Sequence, residues 1–401
     1  MSLHFFLPCL ILLLYPWCHP QTASAEIAPL WSVLEPGHRI RTAAFSPTQE
    51  VLATGSSEGE IKLWRMADGS LITTIQGGLK AITALAFSPD GARLASFNAD
   101  QTVVLWSAED WTKLASKADA APRFATLAAA AFSLDGRRLL TSLDGPSSLG
   151  VWDVPELELL ERLEGHNGSV NAIVFSPDGA VFASSSGIRG QDTTVKIWSA
   201  EDWTLLKSLQ TANTYGIYAI AFSPDGKLLA TGTDRTPTFA GNIQLWSTAD
   251  WTLRQTLPAK GHALAFSPDG TLLASIDPSY HLNLWNTQNG TLLSRTHPPI
   301  DDFGVLQSVA WRPDGKALFY FGERYSTTTT WGHISAVPAP PALFATRTDE
   351  NSLELNWRVG ATLQFRTNWS SPWITLPGAN PATATVDMEH PSAFFRLVSE
   401  P

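Results

Sequence analysis

The residues whose types and spacing suggest chemistry are few. Gly55-Ser56-Ser57-Glu58-Gly59 matches the G-x-S-x-G spacing that presents a serine nucleophile for acyl transfer, and Asp301-Asp302 is an acidic pair of the kind that contributes to metal sites. Asp90-Gly91, Asp178-Gly179, Asp225-Gly226, Asp269-Gly270 and Asp314-Gly315 place carboxylates in turns, where they resemble calcium ligands. Each has a plainer origin. The serine string falls in a hairpin between two strand-like runs, not at the strand-to-helix elbow that the chemistry needs. The acidic pair sits in a loop without a clustered His partner or an H-E-x-x-H string. The Asp-Gly pairs recur in one hairpin turn, which makes them geometric.

Other nucleophiles and cofactor cradles are missing. Both cysteines, Cys9 and Cys18, lie within the first 25 residues. There is no Ser-x-x-Lys string, and no glycine-rich phosphate loop opens a helix. The expectation is a chain with no cofactor, no metal and no enzymatic activity. A propeller hydrolase using axial carboxylates or His262 ranks third among the functions considered.

The elements behind these residues follow from internal repetition. The block Phe-Ser-Pro recurs, with anchor aromatics Phe45, Phe87, Phe132, Phe175, Phe222, Phe266 and Trp311 at spacings of 42, 45, 43, 47, 44 and 45 residues. A tryptophan follows each anchor, usually closing a V/I/L-rich run: Trp64, Trp106, Trp152, Trp198, Trp246, Trp285 and Trp331. Within a unit, the alternating run up to the anchor reads as an inner strand, Ser-Pro-Asp-Gly as a turn, and Leu-Ala-Ser/Thr as a second strand. The tryptophan run is the third strand and the following stretch the fourth. Four short strands per 40 to 50 residues make a propeller blade, and seven anchors predict seven blades. Alanines one and three before most anchors, such as Ala84 and Ala86 or Ala219 and Ala221, suit strands crowded at an axis. The anchor Phe175 is expected in the buried core.

Over roughly residues 30–334 these units resemble the WD-repeat family. The resemblance implies a structural hydrogen-bond set in the best unit, made of His166, Ser184, Asp192 and Trp198. The acidic turn residue six before the tryptophan is also present as Glu58 and Asp100, whereas Pro146, Ala240, Ser279 and Tyr325 replace it elsewhere, so those turns are expected to be held differently. The run Leu30 to Leu34 has the outer-strand pattern without a preceding unit and should complete the blade containing Trp331, which removes exposed edges.

The ends differ from the repeats. Residues 1–25 combine an uncharged apolar run, Phe5 to Trp17, with a small-residue site at Ala23-Ser24-Ala25, and read as a signal peptide. The mature chain is therefore expected to be exported to the periplasm, cell surface or extracellular space, without membrane insertion. Residues 26–334 form the propeller, 335–341 a Pro-rich linker, and 342–401 a small all-β module. That module resembles short fibronectin-like modules of exported bacterial proteins, which often end in a strand like Phe394-Phe395-Arg396-Leu397. Its Trp357, Trp369 and Trp373 leave glycan binding open as the alternative function.

A net charge of −10 without a basic cluster excludes nucleic acid as an expected partner. The leading expectation is a non-catalytic protein-interaction scaffold whose partner the residues do not name. On such a scaffold the loops carry function. Arg41, Thr83, Ala128, Asn171, Tyr218, His262 and Gln307, each four before an anchor, vary in type and should ring one mouth of the channel. The tryptophans of the phrase Asp-Trp-Thr, Trp111, Trp203 and Trp251, are expected either to pack on adjacent blades or to form an exposed patch, with packing preferred.

Overall fold

Alternating apolar runs broken by Ser-Pro-Asp-Gly and Asp-Trp-Thr turns fold into short antiparallel sheets, because each run is long enough for five or six residues of strand. In the first unit the strands are Ile40–Phe45, Val51–Ser56, Glu60–Arg65 and Leu71–Gln76. They pair in chain order. The computed structural model describes residues 29–36, 39–118, 129–143, 148–187, 192–211, 216–233, 242–277, 279, 281–296, 304–315, 317–324 and 329–336, and the strands of the C-terminal segment. The expected signal peptide, residues 1–25, lies outside the described residues, as do Ala128, Pro146, Ala240, Asp301-Asp302, Tyr325 and residues 337–341 of the expected linker, whose Ser335 and Ala336 instead end a strand.

Five further sheets repeat this plan over 82–118, 130–164, 170–210, 217–257 and 263–296, giving six blades of consecutive strands, blades 1 to 6 in chain order. The first strands of successive blades contact one another, so the alanine-rich strand is the inner one. The fold is an all-β propeller. The strands that remain do not form a unit of their own: Gly304–Trp311, Ala317–Arg324 and Thr329–Ala336 pair in order, and Pro29–Pro36 adds to the last of them. Pro36 lies opposite Thr329 and Pro29 opposite Ser335. The expectation of seven blades is thus narrowed to six consecutive blades, and the run Leu30 to Leu34 pairs with the strand of Trp331 in a composite four-stranded sheet.

The cores are interblade cores. Val51, Ala53, Ile61 and Leu63 of blade 1 pack on Ile82, Leu85, Leu94, Val104 and Trp106 of blade 2, and the same pairing recurs around the ring. The composite sheet takes part on both sides. Val309, Trp311, Leu318 and Tyr320 pack with blade 6, and Phe319 joins Ile40, Leu52, Trp64 and Met66 of blade 1. Close approach requires glycine in places: a Cβ on Gly216 would lie 2.1 Å from the Gly187 carbonyl oxygen of the neighbouring blade.

Phe175 departs from its expected burial, and the other anchors divide in the same way. Phe45, Phe87, Phe175 and Phe222 are half-buried, while Phe132, Phe266 and Trp311 are buried. The anchor ends its strand at the turn, where the blade begins to open to solvent. The larger buried aromatic beside Phe175 is Phe182 on the second strand, 0% exposed and stacked on Trp198 at 5.9 Å.

Residues 338–401 form a second unit. It contains two three-stranded sheets, one from Leu343–Arg347, Ser352–Trp357 and Thr383–Asp387, the other from Ile374–Thr375, Ala361–Arg366 and Phe394–Ser399. Trp357 ends one of these strands, and Trp369 and Trp373 lie outside the described residues.

Candidate functional site

The positions four before the anchors share a structural cause. The inner strand of blade 1 shifts register between Ile40 and Thr42, so Arg41 is an extra residue with no partner across the strand pair. The same shift isolates Thr83, Asn171, Tyr218 and, in the composite sheet, Gln307. A β-bulge turns the extra side chain out of the pleat and twists the strand end, which is how sheets re-aim a residue at a rim. Blade 6 differs: its inner strand starts at Ala263, and His262 precedes it with its N–H bonded to the Ile276 carbonyl at 3.1 Å.

The bulge residues divide by what they touch. Arg41 is exposed and Tyr218 half-buried. Thr83 donates its hydroxyl to the Phe97 carbonyl at 3.1 Å. Asn171 donates from Nδ2 to the carbonyls of Gly187 and Ile217, each at 3.0 Å, and so ties blade 4 to the inner strand of blade 5. His262 is only 6% exposed. The side chain of Gln307 is not among those described. Five of these positions therefore share the bulge and His262 does not, while Asn171 also ties neighbouring blades together.

Inside the blades the third-strand tryptophans have one polar partner each. Trp64, Trp106, Trp152, Trp198, Trp246 and Trp285 donate from Nε1 to the hydroxyls of Thr54, Ser96, Thr141, Ser184, Thr231 and Ser275 at 2.8 to 3.2 Å. Blade 4 extends this into a chain: His166 Nε2 lies 2.7 Å from Ser184 Oγ, and His166 Nδ1 lies 2.9 Å from Asp192 Oδ2. Asp192 accepts three more bonds, from the Asn167 and Thr194 amides and the Thr194 hydroxyl. Burial acts to raise its pKa, but these donors outweigh it and hold the carboxyl below the usual range. Burial pushes the His166 imidazole the same way, down, so it stays neutral. The order Ser-His-Asp matches that of a hydrolase triad. Ser184 is 0% exposed and its oxygen accepts from Trp198, so no substrate carbonyl can reach it. The chain of bonds fastens the blade and its entering loop.

Blade 6 fastens the corresponding turn by another residue, which sequence reading passed over. Where Ser279 replaces the acidic turn residue, Asp277 two positions earlier accepts from the Ser279 and His281 amides at 2.9 and 3.1 Å and pairs with Arg295 at 2.9 Å. The signal was present as an Asp just after the second strand, where blades 1, 2, 4 and 5 carry Ser56, Asn98, Ser186 and Thr233. Ser57 of the G-x-S-x-G string donates to the carboxylate of its neighbour Glu58 at 2.6 Å, and buried Ser56 accepts the Glu58 and Glu60 amides. Among the described residues, no group of three or more His, Cys, Asp or Glu is placed to hold a metal ion.

At the opposite ends of the strands, each Ser-x-Asp-Gly turn is built alike. Ser88, Ser133, Ser176, Ser223 and Ser267 donate to Asp90, Asp135, Asp178, Asp225 and Asp269, and the following glycine has φ between 68° and 71°. Trp111, Trp203 and Trp251 occupy the turn between third and fourth strands at φ of 61°, 61° and 59°. They are half-buried against the interblade cores: Trp111 lies edge-on to Phe87 at 6.5 Å and Trp203 against Phe182 at 6.1 Å.

Comparison with known proteins matches this architecture. The family model "WD domain, G-beta repeat" matches residues 157–199 and 203–239, and "Anaphase-promoting complex subunit 4 WD40 domain" matches 43–127. Similar curated proteins include "Periodic tryptophan protein 2" of Arabidopsis thaliana, 29% identical over 48% of this chain and 21% of the relative. "Nuclear distribution protein PAC1" of Arthroderma otae is 32% identical over 43% of this chain and 38% of its own length. An "Uncharacterized WD repeat-containing protein" of Synechocystis sp. is 28% identical over 49% of this chain and 51% of its own length. The chain thus covers less than two thirds of each of these relatives.

Proposed function

We propose that this chain, which carries WD40 repeats on a β-propeller, is a non-catalytic scaffold that binds a protein partner at the rim lined by its inner-strand bulges. The observation that carries the proposal is the register shift at the variable residues Arg41, Thr83, Asn171, Tyr218 and Gln307. A bulge weakens a ladder and is retained where a side chain must be re-aimed. Here it recurs at an inner-strand position that changes between charged, polar and aromatic residues from blade to blade, while the residues one and three after the bulge site are mostly alanine. The composite sheet acts as the seventh blade: it packs on blade 1 and blade 6, and its Pro29–Pro36 strand joins the two ends of the ring. With residues 1–25 taken as a signal peptide, on their uncharged apolar run and small-residue site, the partner is sought in the cell envelope or outside the cell.

The test is capture by the propeller of envelope or secreted proteins, compared with an Arg41→Ala/Tyr218→Ala variant. Retention of one protein by the unchanged chain and its loss from the variant, with thermal unfolding unchanged, is the expected result. Equal capture by both moves the site away from the bulge rim.

A further inference from the structure

The outer strands carry a second set of bulges. In all six consecutive blades the register shifts just before the third-strand tryptophan, at Leu63/Trp64, Leu105/Trp106, Val151/Trp152, Ile197/Trp198, Leu245/Trp246 and Leu284/Trp285. The residue left over on the outer strand is Arg254 in blade 5, half-buried Leu293 in blade 6, and the exposed aliphatic Ile72, Leu114, Leu160 or Leu206 in blades 1 to 4. These four aliphatic side chains are 39%, 50%, 51% and 54% exposed. Leu71 and Leu205 beside them are exposed as well, and Leu134 is exposed in a turn at the same end of the strands, where other units carry proline. These exposed aliphatics occupy the equivalent position on four successive outer strands, where the bulge turns the side chain out of the pleat.

The charge around this row selects its occupant. The turns from first to second strand and from third to fourth strand hold fifteen Asp or Glu and four Lys or Arg, and those from third to fourth strand hold no basic residue. The connections at the other ends of the strands hold nine acidic and six basic residues. Arg65, Arg93, Lys113 and Arg138 at adjoining strand ends offset part of the excess, and Arg138 is paired with Asp153. Hydrogen bonds from Ser107, Thr112, Ser199 and Thr204 hold Asp110 and Asp202 below the ordinary carboxylate range, so this end stays anionic well into acid. A second copy of the chain and an anionic lipid surface are both repelled by it.

We infer that the outer edges of blades 1 to 4, at the end that carries the Ser-Pro-Asp-Gly and Asp-Trp-Thr turns, form a docking surface for a cationic amphipathic protein segment. Its aliphatic residues cover Ile72, Leu114, Leu160 and Leu206, and its Lys or Arg residues meet Glu109, Glu156, Glu201 and the turn aspartates. The bulges disrupt the start of each outer strand, which disfavours strand addition and favours side-chain contact. This surface lies at the other ends of the strands from the rim of the proposed function and stands independently of it.

The probe is a short fluorescein-labelled amphipathic helical peptide of Leu and Lys, read by anisotropy against the full chain, with a Leu/Glu peptide and oligolysine as comparisons. The expected result is saturable binding of the Leu/Lys peptide that weakens with salt. The triple variant Leu114→Ser/Leu160→Ser/Leu206→Ser should weaken it by about tenfold, as should Glu109→Lys/Glu201→Lys, while Lys80→Glu at the opposite end leaves it unchanged. No binding, equal binding of the Leu/Glu peptide, or equal binding of oligolysine to the native and triple-Ser chains would each overturn the inference. Matched melting curves exclude misfolding of the variants.

Discussion

His166 Nδ1 lies 2.9 Å from Asp192 Oδ2, with both side chains buried inside blade 4. Their titrations add with one sign. Burial lowers the His166 pKa on folding, so the unfolded chain binds a proton more readily and folding loses stability as pH falls below roughly 6.5, the ordinary imidazole value. Asp192 is also lowered, and its contribution, complete above about 4, is lost as pH falls further. Acid unfolding should therefore show an early loss that begins as pH falls below about 6.5 and a further one below about 4. A His166→Gln chain, followed by denaturant midpoint against pH, should lack the early loss. If the early loss persists, another group causes it.

Removing Asp192 tests the same set at neutral pH. Asp192→Ala leaves the imidazole and two amides without their acceptor, at a cost of about 3 kcal/mol by analogy with other broken buried networks. Ser184→Ala should cost about 2 kcal/mol, since it strands both His166 and the Trp198 indole. Equal stability of either variant with the native chain in urea titrations would show that solvent replaces the lost bonds.

Much of this was legible beforehand, because a repeat states the same physical requirement many times. Phe-Ser-Pro-Asp-Gly fixes a turn in which Ser223 must donate to Asp225 and Gly226 must adopt positive φ, and the spacing of those strings fixes the blades. The bulges were not legible. Inner-strand residues such as Arg41 and Tyr218 were recognisable as variable, but a one-residue slip leaves no mark in a period-two pattern this short. The burial of Phe175 was overestimated for a related reason: the repeat marks where the strand ends, not how far the neighbouring turn covers it. Asp277 escaped notice because it performs the turn-holding role from a different strand position.

The anchor aromatics give a graded comparison. Phe182, fully buried against Trp198, should cost about 4 kcal/mol as Phe182→Ala, within the usual range for buried aromatics. Half-buried Phe175 should cost about half of that. Equilibrium unfolding of the two variants checks the ratio, and a larger loss at Phe175 would contradict the burial pattern.

Asn171 and Tyr218 occupy equivalent bulges with different tasks. Asn171→Ala removes two bonds to backbone carbonyls, one of them across blades, and should cost about 1 to 2 kcal/mol. Tyr218→Ala should cost less than about 1 kcal/mol, as a rim position does. The two variants then separate framework from contact: partner capture falls in both, but only Asn171→Ala lowers the melting temperature appreciably.

The Asp-Trp-Thr turns set strain against burial in one residue. Trp203 has φ of 61°, a left-handed conformation that costs a non-glycine residue about 1 kcal/mol. Its indole packs on Phe182 and the core between blades 3 and 4, which contributes about 2 to 3 kcal/mol for a half-buried tryptophan. Burial wins, which is why tryptophan persists where Gly69 and Gly290 serve blades 1 and 6. Trp203→Ala keeps the strain and loses the packing, so it should cost about 3 kcal/mol. Trp203→Gly loses the packing but relieves the strain, and should cost about 1 kcal/mol less. Urea titration of both variants would show glycine as the milder change; alanine as the milder one would mean that the turn does not hold this backbone conformation in solution.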